Sequence, residues 1–331
     1  MYQLGIDISK AKFDAALLID GKYKSKVCDN NIDGFNALIQ WLEPHDHRVI
    51  HVCMEGTGRL WEPLAEFLYA RNFVVSVSNP AKIKGFAQSE LRRSKTDEID
   101  AKIIARFCRA HDPAPWVAPA AEIKAIRDRH RYIDALKDQR IQENNRLKSG
   151  VLDPLVEAAI HVHIEFLKTQ IKALEKDLLT FIKAHPAVQR DFELLTSIIS
   201  IGHNTAVAFL GELSAAEHFT SGRELEVFCG LAPRLLESGS SVRTRSKISK
   251  VGNSRIRRAL YMPAVCAIRC NPVIREFALR LKLAGKPGKV IVCAVMRKLL
   301  RLMFAVLKSG KPYDLNHVSV KPDQRAARLT A

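Results

Sequence analysis

Three β-prone runs crowd the first 27 residues, and after them apolar helices and strands alternate. Residues 4–8, 13–18 and 23–27 are separated by Ser9-Lys10 and Asp20-Gly21, turn chemistry that predicts three antiparallel strands in series. A helix over 35–42 with Asp33 as its cap follows, then a strand over 49–54, a helix over 61–69 and a strand over 74–77. The order β-β-β-α-β-α-β predicts an α/β domain on a mixed five-stranded sheet. A helix over 97–110 closes this unit, and the Pro-rich stretch 112–119 reads as a linker.

Two long helices are expected next, over 123–147 and 160–182, broken at Gly150 to Pro154. Leu167, Ile171, Leu174, Leu178 and Ile182 recur at heptad-like spacing. Such a stripe suits a coiled-coil dimerisation arm, with a hairpin packed on its own domain as the alternative. Two short helices within 192–213 flank Ser200-Ile201-Gly202-His203-Asn204, a helix-hairpin-helix pattern whose turn offers N–H groups to a phosphate; a structural turn is the plainer reading. Helices over 254–269, 272–283 and 290–307 complete a mostly α-helical C-terminal part. The expected domains are 1–115, a helical coiled-coil linker over 116–188, and 189–331.

Among the 331 residues, 52 Lys or Arg face 35 Asp or Glu, a net charge of +17. The excess is C-terminal. Ser241 to Gly310 holds seventeen basic side chains and one acid, Glu276. A field of that sign attracts polyanions, and nucleic acid is the partner it fits best. The candidate contacts are Arg243, Arg245, Lys247, Lys250, Arg255, Arg257, Arg258, Lys286, Lys289, Arg297 and Lys298. About 6 to 10 phosphate contacts would cost roughly three to five decades of affinity between 50 and 200 mM salt. No stretch approaches the roughly 18 apolar residues of a membrane span, and no signal-peptide pattern follows Met1. Seven cysteines without a CxxC pair fit a reducing, cytoplasmic setting.

The informative acid is Asp7, inside the apolar run Gly5-Ile6-Asp7-Ile8. Burying a carboxylate raises its pKa and costs several kcal/mol unless a cation or hydrogen bonds compensate. Glu55 ends the strand over 49–54, and Asp97 and Asp100 share one face of a helix start. Four converging carboxylates repel one another unless hard cations sit between them. Two Mg²⁺ about 4 Å apart serve phosphodiester chemistry in that way, with Mn²⁺ the alternative ion. Read singly, Asp97 is equally a helix cap and Glu55 a loop acid. Ser238-Gly239-Ser240-Ser241 precedes Arg243, Arg245 and Lys247, so its hydroxyls stand in a positive field; turn-forming serines that contact phosphate explain that spacing as well.

Gly5-Ile6-Asp7, Glu55-Gly56-Thr57-Gly58, Asn79-Pro80, Lys95 to Ala101, Gly230-Leu231-Ala232-Pro233, Glu237 to Ser241 and Arg258 to Met262 together resemble the DEDD-type insertion-sequence transposases, understood as RNA-guided serine recombinases. The resemblance implies an N-terminal RNase H-like (RuvC-like) domain whose Asp7, Glu55, Asp97 and Asp100 hold Mg²⁺, a coiled coil, and a C-terminal transposase domain. It implies Ser238 as nucleophile, with Ser240 and Ser241 the neighbouring alternatives, and a phosphoserine link to DNA. Donor and target DNA, a non-coding bridge RNA, dimers pairing into tetramers and a bacterial, nucleoid-associated location come with it. The alternative is a RuvC-like metal-dependent nuclease or junction resolvase without serine chemistry. One departure is visible: Ile199-Ser200-Ile201-Gly202 stands where the family's hairpin turn usually reads Pro-Gly-Ile-Gly.

Overall fold

The computed structural model describes residues 1–90, 96–150, 153–213, 219–234, 237–238, 242–243 and 247–315; for 237–238, 242–243 and 247 it describes the backbone. Two compact units divide the chain, Met1–Ala118 and Pro119–Ala331.

In the first unit β1 (Tyr2–Ile8), β2 (Lys12–Ile19) and β3 (Lys22–Asp29) form an antiparallel meander, as the spacing of the turns requires. Helix α1 (Ile32–Leu42) is capped by Asn31, which accepts from Gly34 N at 2.9 Å; the expected cap, Asp33, lies inside the first turn. Strand β4 (Ile50–Glu55) then pairs parallel with β1, and after α2 (Glu62–Tyr69) β5 (Val74–Ser78) pairs parallel with β4. The five-stranded sheet runs β3-β2-β1-β4-β5 and is mixed.

Alternation along the strands sorts the residues between two faces. Leu4, Ile6, Phe13, Ala15, Leu17, Val52 and Met54 share a core with Phe35 and Leu38 of α1 and Leu64 and Leu68 of α2. The other face belongs to α3 (Pro80–Ser89) and α4 (Asp97–His111): Cys53 packs with Ile83, Ile103, Ile104 and Phe107. Gly5 makes the α4 contact close. A Cβ built there would stand 2.1 Å from Ala101 O and 2.3 Å from Ala105 N, so only glycine lets β1 and α4 meet at this distance.

The second unit begins with the expected hairpin, α5 (Ala121–Lys148) and α6 (Pro154–Lys183). The heptad-like residues Leu167, Ile171, Leu178 and Ile182 are buried in one core with Ile126 and Ile133 of α5. That core continues through α7 (Pro186–Thr196), α8 (His203–Glu212), α9 (Gly222–Phe228), α10 (Ser254–Cys270), α11 (Pro272–Leu283) and α12 (Gly288–Ser309). Two buried acids brace it. Glu212 accepts from Arg131 Nε at 2.7 Å and Nη2 at 3.0 Å and from Asn253 Nδ2 at 2.9 Å, tying α5 and α8 to the start of α10. Glu226, 1% exposed, accepts from Arg297 and Arg301 and ties α9 to α12. In the turn before α8, Ser200 holds φ 87, a left-handed conformation that favours glycine, and its Oγ is buried without a hydrogen-bond partner. No helix among the described residues is long and apolar enough to cross a membrane.

Gly5→Ala is expected to destabilise the first unit by about 2–3 kcal/mol or more, because backbone rather than a side chain blocks the new methyl. Urea unfolding followed by circular dichroism measures it.

Candidate active site

The alternation that buries Leu4 and Ile6 under α1 and α2 turns Gly5 and Asp7 toward α4. Register does the rest. Asp14 pairs directly opposite Asp7, and Glu55 lies one step beyond the Ile6–Met54 pair. Close packing at Gly5 brings the first turn of α4, with Asp97 and Asp100, to this end of the sheet. Thr96 is the cap of α4, its side chain accepting from Ile99 N at 3.3 Å, so Asp97 is left to face the cluster.

Convergence shows in Asp7. Its pKa is raised from 3.8 to about 6 by burial first, then by the charges of Asp100, Glu55, Asp97 and Asp14. Glu55 accepts from Thr57 Oγ1 at 2.6 Å. Asp14, 7% exposed, and Lys12 belong to the cluster without having been singled out in the sequence. Lys12 Nζ stands 3.2 Å from Asp14 Oδ2 and 3.2 Å from Asp97 Oδ2. Asp14 carried the signal that marked Asp7, an acid within an apolar strand. Among the described residues no three His, Cys, Asp or Glu side chains close on one point as a ligand shell. Oxygen donors that repel one another are nonetheless the set a hard divalent cation fits.

In the second unit β6 (Pro233–Arg234) pairs antiparallel with β9 (Lys247–Ile248), and β7 (Glu237–Ser238) with β8 (Val242–Arg243). Ser238 pairs with Val242 and is the last described residue of its arm; Ser240, Ser241 and Arg245 lie outside the described residues. The root of the two ladders is pinned. Ser249 N donates to Ala232 O at 2.9 Å and Asn253 N to Phe228 O at 2.8 Å, while a Cβ on Gly252 (φ 130) would meet Phe228 O at 2.1 Å.

The described basic residues fall into two groups. Arg257 donates to Cys229 O at 2.8 Å and Gly252 O at 3.2 Å, Arg258 forms a forked pair with Asp138, Arg297 holds Glu226, and Arg255 lies 3.7 Å from Glu212. Lys298 lies over the Phe277 ring at 4.7 Å. Lys250, Lys286 and Lys289 are exposed. Much of the arginine charge thus builds the surface that the lysines extend.

Residues 4–155 match a family model described as a transposase of the DEDD, IS110 type, and residues 192–279 match one described as the IS116/IS110/IS902 transposase family. A pilin gene-inverting protein of Moraxella bovis is 32% identical over 318 residues, covering 94% of this chain and 97% of its own, and that of Moraxella lacunata matches equally. The chain belongs to the IS110 family of DEDD-type insertion-sequence transposases. A transposase for insertion sequence element IS1328 of Yersinia enterocolitica is 26% identical over 275 residues, 72% of this chain and 78% of its own. Membership makes the protein a DNA transposase or recombinase, with DNA as substrate. The acidic cluster falls within the first matched segment and Ser238 within the second.

Asp7 binds its proton more tightly in the folded state than in the unfolded chain, so its contribution to stability is full below about pH 4 and is lost as pH rises to about 6. In EDTA, Asp7→Asn is therefore expected to melt higher than wild type at pH 7.5, the gap closing toward pH 4. Differential scanning calorimetry across that range checks it.

Proposed function

We propose that this transposase cuts and rejoins DNA through a phosphoserine link at Ser238, assisted by a divalent cation, Mg²⁺ or Mn²⁺, at Asp7, Glu55, Asp97 and Asp100. The observation that carries the reading is Asp7, paired opposite Asp14 and one step from Glu55 in the sheet, whose pKa is pushed up by burial first and then by four neighbouring carboxylates. When bound, the cation would supply charge stabilisation to a DNA phosphate. Asp7 and Glu55 come from neighbouring parallel strands and the other two from one helical turn, so the sheet and α4 orient the donors. Acids at the ends of β1 and β4 on a mixed sheet support the RNase H-like (RuvC-like) reading of the first unit.

Ser238 Oγ attacks phosphorus and loses its proton; the bond to the leaving sugar oxygen breaks, and that oxygen takes up a proton. The covalent link keeps the phosphodiester energy for rejoining. The names of the Moraxella relatives favour this over hydrolysis, since an inverted segment must be resealed to new neighbours. Exposed Lys250, Lys286 and Lys289 would meet phosphates, and Arg243, Arg245 and Lys247, close to Ser238 in sequence, would add to them. A surface that grips backbones leaves sequence choice to a base-pairing guide, the non-coding bridge RNA.

A second apolar stripe on α6 supports self-association. Leu155, Ala159, Val162, Phe166, Thr169 and Ala173 recur at alternating steps of four and three and are all exposed, Leu155 at 82% and Val162 at 71%. A second copy of the same stripe is the partner that spacing fits. Val162→Glu with Phe166→Glu is expected to turn dimers or tetramers into monomers in multi-angle light scattering, with the helical circular dichroism retained.

The chemistry is tested by incubating the purified protein, with the RNA that accompanies it, with its genomic flanking DNA and Mg²⁺. Wild type should give a DNA adduct on denaturing gels, and Ser238→Ala and Asp7→Asn should give none. Cleavage that persists in Ser238→Ala and releases a free 5′-phosphate would instead establish a metal-dependent nuclease of the junction-resolving kind.

A further inference from the structure

We infer that Lys12 is the resident cation of the acidic cluster: its ammonium occupies the place between Asp14 and Asp97 and gives up Asp97 when a divalent ion loads. This rests on the reading of the cluster as a cation site. Lys12 opens β2 two residues before Asp14, so alternation puts both on the face that α4 covers. Its ammonium lies 3.2 Å from Asp14 Oδ2 and 3.2 Å from Asp97 Oδ2. The bridge thus joins the sheet to the first turn of α4, where the carboxylates crowd most.

Two features make the bridge exchangeable. Asp97 is the exposed end, its side chain 58% accessible, whereas the Asp14 side chain is 9% accessible and anchors the lysine inside. A divalent ion on Asp97 would share a carboxylate with an ammonium that lies 3.2 Å from its Oδ2. Like charges on one carboxylate repel, and the lysine stem, itself 45% exposed, can swing its head toward water while Asp14 stays within reach. Lys12 therefore offsets the repulsion among the acids before loading and competes with the ion during it.

The test uses the full-length chain and Mn²⁺, with free Mn²⁺ read by electron paramagnetic resonance. Lys12→Gln should bind Mn²⁺ up to about fivefold more tightly than wild type, the span expected for removing one partly exposed competing pair. Lys12→Arg, which keeps the charge and the reach, should bind like wild type. In EDTA Lys12→Gln should melt lower than wild type, and saturating Mn²⁺ should abolish that difference. Unchanged or weaker Mn²⁺ binding by Lys12→Gln, or an equal loss of Tm with and without Mn²⁺, overturns the inference and leaves the cation site standing. If wild type and variant alike bind no Mn²⁺, the cation-site reading fails and the inference with it.

Discussion

Everything the acidic cluster does depends on how closely α4 approaches β1. A glycine at position 5 removes the one side chain that would hold the helix off the strand, and carbonyl and amide groups of Ala101 and Ala105 fill the space instead. The helix start is thereby carried to the end of the sheet where Asp7, Asp14 and Glu55 emerge. A helix displaced by the width of a methyl group would still be a helix on a sheet, but its first-turn acids would stand farther from Asp7.

That field is costly, and the fold compensates it locally. Burial and four like charges oppose the ionisation of Asp7, and Lys12 is drawn between Asp14 and Asp97. A cluster held together by the packing of β1 against α4, rather than by mutual attraction, is preorganised for positive charge.

The second unit uses charge in the opposite way. Glu212 and Glu226, buried where carboxylates are expensive, draw Arg131, Arg297 and Arg301 into fixed geometry and tie α5 to α8 and α9 to α12. Arg257 fastens the root of the short ladders through two backbone carbonyls. Arg255, Arg257, Arg258, Arg297 and Arg301 are thus engaged within the protein, while Lys250, Lys286 and Lys289 are exposed. Ser238 lies on a two-residue strand, its backbone paired with Val242.

Amino-acid order alone determined the meander, the alternation that followed it and the long hairpin, because turn residues and apolar periodicity are local signals. It marked Asp7, Glu55, Asp97 and Asp100 through residue type and motif resemblance. It did not reveal α3, which buries only Ile83 and so carries no apolar period, nor α9, seven residues long. Asp33 was the expected cap of α1, yet Asn31, two residues earlier, binds Gly34 N. The heptad stripe of α6 was legible, but whether its partner was α5 or another chain was not, since periodicity reports a buried face and not what covers it. Tertiary structure alone decided that α5 and the C-terminal helices cover it, that Asp14 faces Asp7, and that Lys12 reaches Asp97. Those contacts join residues up to 85 positions apart through register and helix approach, which no local pattern encodes.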